Sequence, residues 1–143
     1  CDDVFQTAEK FILKNKLKRD YNFLIVDFHS ETTSEKMAMG HLFDGHATLV
    51  VGTHTHVPTS DVRVLEKGTA YQTDAGMCGD YNSVIGMEKN NSINGFLKKN
   101  SLKHYPATGE ASLSGLIVEG NVNSGLATNV KQFIYGGDLK KSQ

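Results

Sequence analysis

At 143 residues, 38% hydrophobic and 22% charged, the chain has the size and composition of one globular domain with room for a sizeable core. Fifteen Lys and Arg against sixteen Asp and Glu leave it near neutral, without the basic excess that nucleic-acid binding would call for. The longest apolar runs, such as FLIV at 23–26, fall far short of the roughly 20 residues of a membrane span.

The opening CDDVFQTAEKFILKNK predicts a helix that places Val4, Ala8, Phe11 and Ile12 on one face, capped by Asp2 or Asp3. An amino-terminal Cys would suit a lipid-modified protein, but a helix starts where such proteins keep a flexible tether, so a segment of a longer protein is the favoured reading. YNFLIVDFH predicts a buried strand. Thr32 and Glu35 have the spacing of a capping box, and Met37, Ala38, His41 and Leu42 follow at helical intervals. Gly40 weakens that helix and Gly45 can end it. ATLVV is the next strand, so strand, helix and strand predict a right-handed parallel unit. DVRVLEKGTAYQTD predicts a hairpin turning at Gly68, and GMCGDYNS a loop. NNSINGFLKK predicts a helix carrying Ile93, Phe96 and Leu97, with Gly95 against it. The stretch from Ala111 to Tyr135 predicts two strands around an Asn- and Gly-rich loop, and GGDLKKSQ a frayed tail. The expected fold is α/β, a parallel βαβ portion followed by antiparallel strands, in a single unit over 1–143.

Two histidines in VVGTHTHVP stand one residue apart just after a strand. In an extended segment His54 and His56 would project to one side, and Val57-Pro58 discourages a helix there. His29 closes the preceding strand. Ligands of open α/β sheets gather beyond the carboxyl ends of parallel strands, so three imidazoles at one rim make a site for Zn, Mn or Fe. Hydrogen-bonded loop histidines are the competing reading. Asp27, Glu31 and Asp74 are the candidate supporting carboxylates; Asp27 would orient a ligand histidine through its second nitrogen or form an ordinary buried hydrogen bond. His41, His46 and His104 stand alone and read as solvent-facing or packing residues. Cys78 has no positioned base beside it and reads as a structural or incidental thiol. With only two cysteines, Cys1 and Cys78, no disulfide framework is expected, and a reducing, cytoplasmic setting is the default. There is no P-loop, no G-x-S-x-G elbow and no aromatic–basic interleaving.

The strings VDFHSETTSEK, AMG, VVGTHTHV and GTAYQTDAGM, in this order, resemble the YmdB-type metallophosphoesterases of the calcineurin-like superfamily. DFH mimics the Asp-x-His that begins calcineurin-like domains, but the following SETTSEK marks it as the family's late histidine motif. The resemblance implies the C-terminal half of an αββα sandwich. It implies a two-metal phosphodiesterase in which an activated hydroxide attacks phosphorus, with cyclic nucleotides among the substrates. By motif match, His29 and His54 would ligate one metal and His56 the other. The family's Asp, Glu and Asn ligands, and the Asn-His pair that supplies the general acid, precede the region matched here, so no catalytic acid is expected in this chain. Cys78 and Asp80 replace the family's more usual Thr and Pro. Three neutral imidazoles cannot offset two divalent charges. The isolated chain is therefore expected to hold at most one of the two ions (Mn, Fe or Zn). It should also expose sheet edge and apolar surface that a missing N-terminal half, or a second copy, would cover. The alternative is a fragment that binds a metal or partner without turnover.

Overall fold

A computed structural model of the protein describes residues 3–99 and 103–139. Helix α1 (Val4–Lys14) begins at Asp3, whose carboxylate accepts the amides of Phe5 and Gln6 at 2.9 and 3.0 Å. The other candidate cap, Asp2, and Cys1 lie outside the described residues. Ala8 and Ile12 turn inward as expected, whereas Val4, predicted on the same face, stays 49% exposed.

Strand β1 (Ile25–His29) leads into helix α2 (Thr33–Phe43), and strand β2 (Leu49–Thr53) returns parallel to β1. Thr32 caps α2, its hydroxyl accepting the Glu35 amide at 3.3 Å. The buried stripe of α2 is one step away from the predicted one: Lys36, Met39, Gly40 and Phe43 face inward, while Met37, Ala38 and His41 face solvent. Hydrophobic spacing could not show this, because the inward face is led by a charged residue and a glycine. Lys36 is buried in an ion pair with Asp74, and Gly40 admits the Tyr71 ring, which a Cβ there would meet at 2.5 Å.

The predicted hairpin is present as β3 (Arg63–Val64) and β4 (Ala70–Gln72), with Gly68 at φ 98° in its turn. Strand β4 also pairs parallel with β2, giving the sheet order β1-β2-β4-β3. The second sheet is antiparallel. Long strands β6 (Ala111–Gly120) and β7 (Ala127–Tyr135) form its body, and a short β5 (Gly79–Asp80) pairs with β6 inside the stretch expected to be only loop. Helix α3 (Lys89–Phe96) forms with its apolar residues outward: Ile93, Phe96 and Leu97 are exposed and only Ser92 is buried. The expected frayed tail starts tethered, since Ser112 Oγ donates to the Gly136 carbonyl at 3.0 Å; residues 140–143 lie outside the described residues.

The layers stack as helices, parallel sheet and antiparallel sheet. Ala8, Ile12, Met39, Phe43, Val50 and Tyr71 fill the helix side, and Leu49, Ala70 and Ala127 seal the contact between sheets. Among the described residues β1 has a partner on one side only; its first residue, Ile25, is 67% exposed and Phe23 just before it 46%. No helix among these residues is long and apolar enough to cross a membrane.

Gly52 marks the tightest crossing near the strand ends. A Cβ there would run into the Thr73 carbonyl oxygen and lie 2.9 Å from Lys36 Cδ. Backbone atoms cannot give way as a side chain tip can. Gly52→Ala is therefore expected to cost about 3 kcal/mol or more, read as a lowered urea midpoint with an unchanged slope.

Candidate metal centre at the strand ends

Parallel pairing sets His29 opposite Thr53, so both strands finish at one level and His54 follows immediately. The histidine loop is not the extended segment that the sequence suggested. His54 has φ 128° and His56 φ 66°, backbone conformations that non-glycine residues avoid. Asp74, just beyond β4, bends the loop. One of its oxygens accepts the amide of Thr55, the residue between the histidines, at 2.9 Å, and the other accepts the Gly76 amide at 2.9 Å. Lys36 Nζ donates to Asp74 at 2.9 Å, with both side chains 1% exposed. Burial pushes the Asp74 carboxyl up, but the Thr55 amide, the Lys36 ammonium and the Gly76 amide outweigh it and hold it below the usual carboxylate range. Asp74 itself makes no hydrogen bond to any of the three histidines; it shapes the loop that carries two of them.

The three imidazoles each have one nitrogen engaged by an acceptor. Thr53 Oγ1 donates its proton to Asp27 Oδ1 at 3.1 Å, so it must accept from His29 Nδ1, 3.0 Å away. That leaves His29 Nε2 with a lone pair. His54 Nε2 donates to the Glu31 carboxylate at 2.7 Å, which in the neutral ring leaves His54 Nδ1 with a lone pair. His56 Nδ1 donates to the Ile85 carbonyl at 2.8 Å, leaving Nε2 as its lone-pair nitrogen. Asp27 thus reaches His29 only through Thr53, while Glu31 contacts His54 directly although it is 82% exposed.

Two of these lone pairs face each other. His29 Nε2 and His54 Nδ1 are 3.1 Å apart with no proton left over between neutral rings. Two imidazole nitrogens about 2.0–2.1 Å from one ion, in adjacent positions, are separated by roughly 2.9–3.4 Å. The donor chemistry and the spacing therefore fit a cation held between His29 and His54. His56 turns toward the residue 84–87 turn instead. Among the described residues no group of three or more His, Cys, Asp or Glu converges to hold an ion unaided. His41, His46 and His104 are exposed and separate from the pair, and Cys78 is exposed, its thiol 3.5 Å from the Ser114 carbonyl. Sequence reasoning missed Thr53, Lys36 and the Ile85 carbonyl. All three act across strand or loop packing, and only Thr53, inside GTHTH, had a local signal.

The family model described as YmdB-like protein matches residues 1–133. The chain is 39% identical over 137 residues to a protein of Bacillus subtilis (strain 168) named 2′,3′-cyclic-nucleotide 2′-phosphodiesterase, covering 96% of this chain and 51% of that protein. A Mycoplasma pneumoniae protein named putative phosphatase/phosphodiesterase is 48% identical over 124 residues, covering 84% of this chain and 44% of its own length. Among solved structures, a novel phosphatase from Mycoplasma pneumoniae superposes with a TM-score of 0.86 at 40% identity, over 95% of this chain and 47% of that one. A hypothetical protein from Thermus thermophilus gives 0.82 at 37% identity, over 96% of this chain and 52% of that one. The chain spans about half the length of the curated relatives it matches.

Proposed function

Because this chain belongs to the YmdB-like family, we propose that it supplies the imidazole side of a metal-dependent phosphodiesterase centre acting on phosphodiesters such as cyclic nucleotides. The facing lone pairs of His29 Nε2 and His54 Nδ1 at 3.1 Å carry this reading. When bound, a pair of divalent ions of the Mn, Fe or Zn kind would polarise a phosphodiester and acidify a water at neutral pH. The chain's own part is orientation. Thr53 and Asp27 fix the His29 tautomer, Glu31 fixes that of His54, and the Ile85 carbonyl fixes that of His56, whose free Nε2 would serve the second ion. Lys36 and Asp74 hold the loop between them. Anionic ligands and a general acid would come from residues outside these 143, because two dications need more negative charge than imidazoles bring.

The partner surface for that remainder is the β1 edge. Apolar grooves flank it on both faces, one of about 400 Å³ against Val4, Phe11 and Phe28 and one of about 390 Å³ against Phe23, Leu49 and Leu116. A parallel sheet is stable when covered on both faces and paired at its edges. The second reading, a metal- or partner-binding piece without turnover, draws on the absence of a third converging ligand among the described residues.

One assay separates the two. Bis(p-nitrophenyl) phosphate and a 2′,3′-cyclic nucleotide are offered with Mn²⁺ to the chain alone and to the chain joined to the N-terminal half of the Bacillus relative. Turnover by the joined protein only is expected. A joined protein that folds and binds metal yet hydrolyses neither ester would leave the non-catalytic reading standing.

A further inference from the structure

A pocket of about 340 Å³ is lined by Val84, Ile85, Met87, Ser92, Phe96 and His104. Its wall is the turn Val84–Met87, closed by reciprocal backbone bonds of 2.9 Å and tied to the 105–107 strip by Glu88 and Ala107 amide bonds to Tyr105 and Gly86. Ile85 and Gly86 occupy its two central positions at φ 49° and 90°. A two-residue turn with both central residues left-handed is the natural place for Asn-Gly, because a β-branched residue is strained there. The chain instead puts Ile at the first position and leaves that residue 55% exposed. Neither turn geometry nor core burial accounts for that choice, so the side chain has work to do at the surface. The same residue's carbonyl accepts from His56 Nδ1, which ties the pocket wall to the histidine loop. Phe96, an aromatic lining residue, is 83% exposed, and His104 adds a polar edge.

We infer that this pocket is a nucleobase subsite, in which Ile85 and Phe96 grip the faces of the base while its ester phosphate lies toward His56. The inference rests on the phosphodiesterase reading and names the part of the substrate that the histidines do not touch. A flat heteroaromatic ring with polar rim atoms matches apolar jaws with one polar edge, and stacking on an exposed aromatic tolerates any base.

The test is titration of the ¹⁵N-labelled 143-residue chain with adenosine 3′-monophosphate and with ribose 5-phosphate, followed by NMR. The nucleotide is expected to bind at least tenfold more tightly than the sugar phosphate, with the largest shifts at Ile85, Met87 and Phe96. That preference should fall to near unity in Ile85→Asn and in Phe96→Ser. Ile85→Asn should melt no lower than the parent chain, since Asn accepts the left-handed conformation. Equal affinity for both probes, or a preference that survives both substitutions, overturns the subsite. So does broadening at Ile85 and Phe96 that grows with chain concentration and ignores the nucleotide, which would make this a contact between copies. Base preference with no diester turnover in the joined protein would sink the phosphodiesterase reading and leave the subsite; turnover without base preference would do the reverse.

Discussion

His54→Ala in the joined protein is expected to lower phosphodiester turnover about a thousandfold with its fold intact. The ring is more than a third exposed and lies outside the core, so its loss costs little packing. It does remove one of two lone pairs 3.1 Å apart and frees Glu31 from its partner. Losing one ligand of a shared ion forfeits several kcal/mol of charge stabilisation in the transition state, which is the source of the thousandfold figure. Glu31→Gln keeps a hydrogen-bond acceptor for His54 Nε2 but drops the charge, and should cost only about 10–100-fold. Steady-state rates on bis(p-nitrophenyl) phosphate, with metal content measured on the same samples, check both. Equal losses for the two variants would mean that His54 acts through Glu31 and not through a metal.

The largest stability effect is expected from Lys36→Met. Lys36 and Asp74 are each 1% exposed, and removing the cation strands a buried carboxylate that still accepts the Thr55 and Gly76 amides. Breaking one side of such a pair costs about 3–5 kcal/mol. The pH dependence follows from the depressed Asp74 pKa. A group whose folded pKa lies below its unfolded value contributes stability above that unfolded value, near pH 4 for Asp, and loses it as pH falls through the folded pKa. The parent chain should therefore lose this contribution in the acid range, and the gap between parent and Lys36→Met should narrow as pH drops below about 4. Urea unfolding at pH 7 and pH 3.5 reads it. A gap unchanged across that interval would show that Lys36 stabilises by packing its stem and not by its charge.

The elements were largely legible because they follow local rules. Asp3 and Thr32 cap where capping residues belong, Gly68 turns a hairpin, and the strand ends bring His29 and Thr53 level. What was illegible is tertiary. Nothing in the spacing of α2 says that Lys36 points inward, because its reason is Asp74, 38 residues away. The same carboxylate explains why His54 and His56 are not an extended pair: Asp74 takes the Thr55 amide and turns the loop, so that His54 meets His29 while His56 meets Ile85. Periodicity also called for a helix at α3 and was right, yet it could not foresee that Ile93, Phe96 and Leu97 would face outward.

In the proposed centre His29 and His54 are two adjacent ligands of one ion, bound through opposite types of ring nitrogen. Long-range ¹H–¹⁵N spectra of the imidazoles during a Zn²⁺ titration of the 143-residue chain read it most directly. The account predicts metal-induced shifts at His29 Nε2 and His54 Nδ1, appearing together at one equivalent, with the protons on His29 Nδ1 and His54 Nε2 retained. Saturating metal that leaves both rings unmoved, or that binds them through the other two nitrogens, would contradict it.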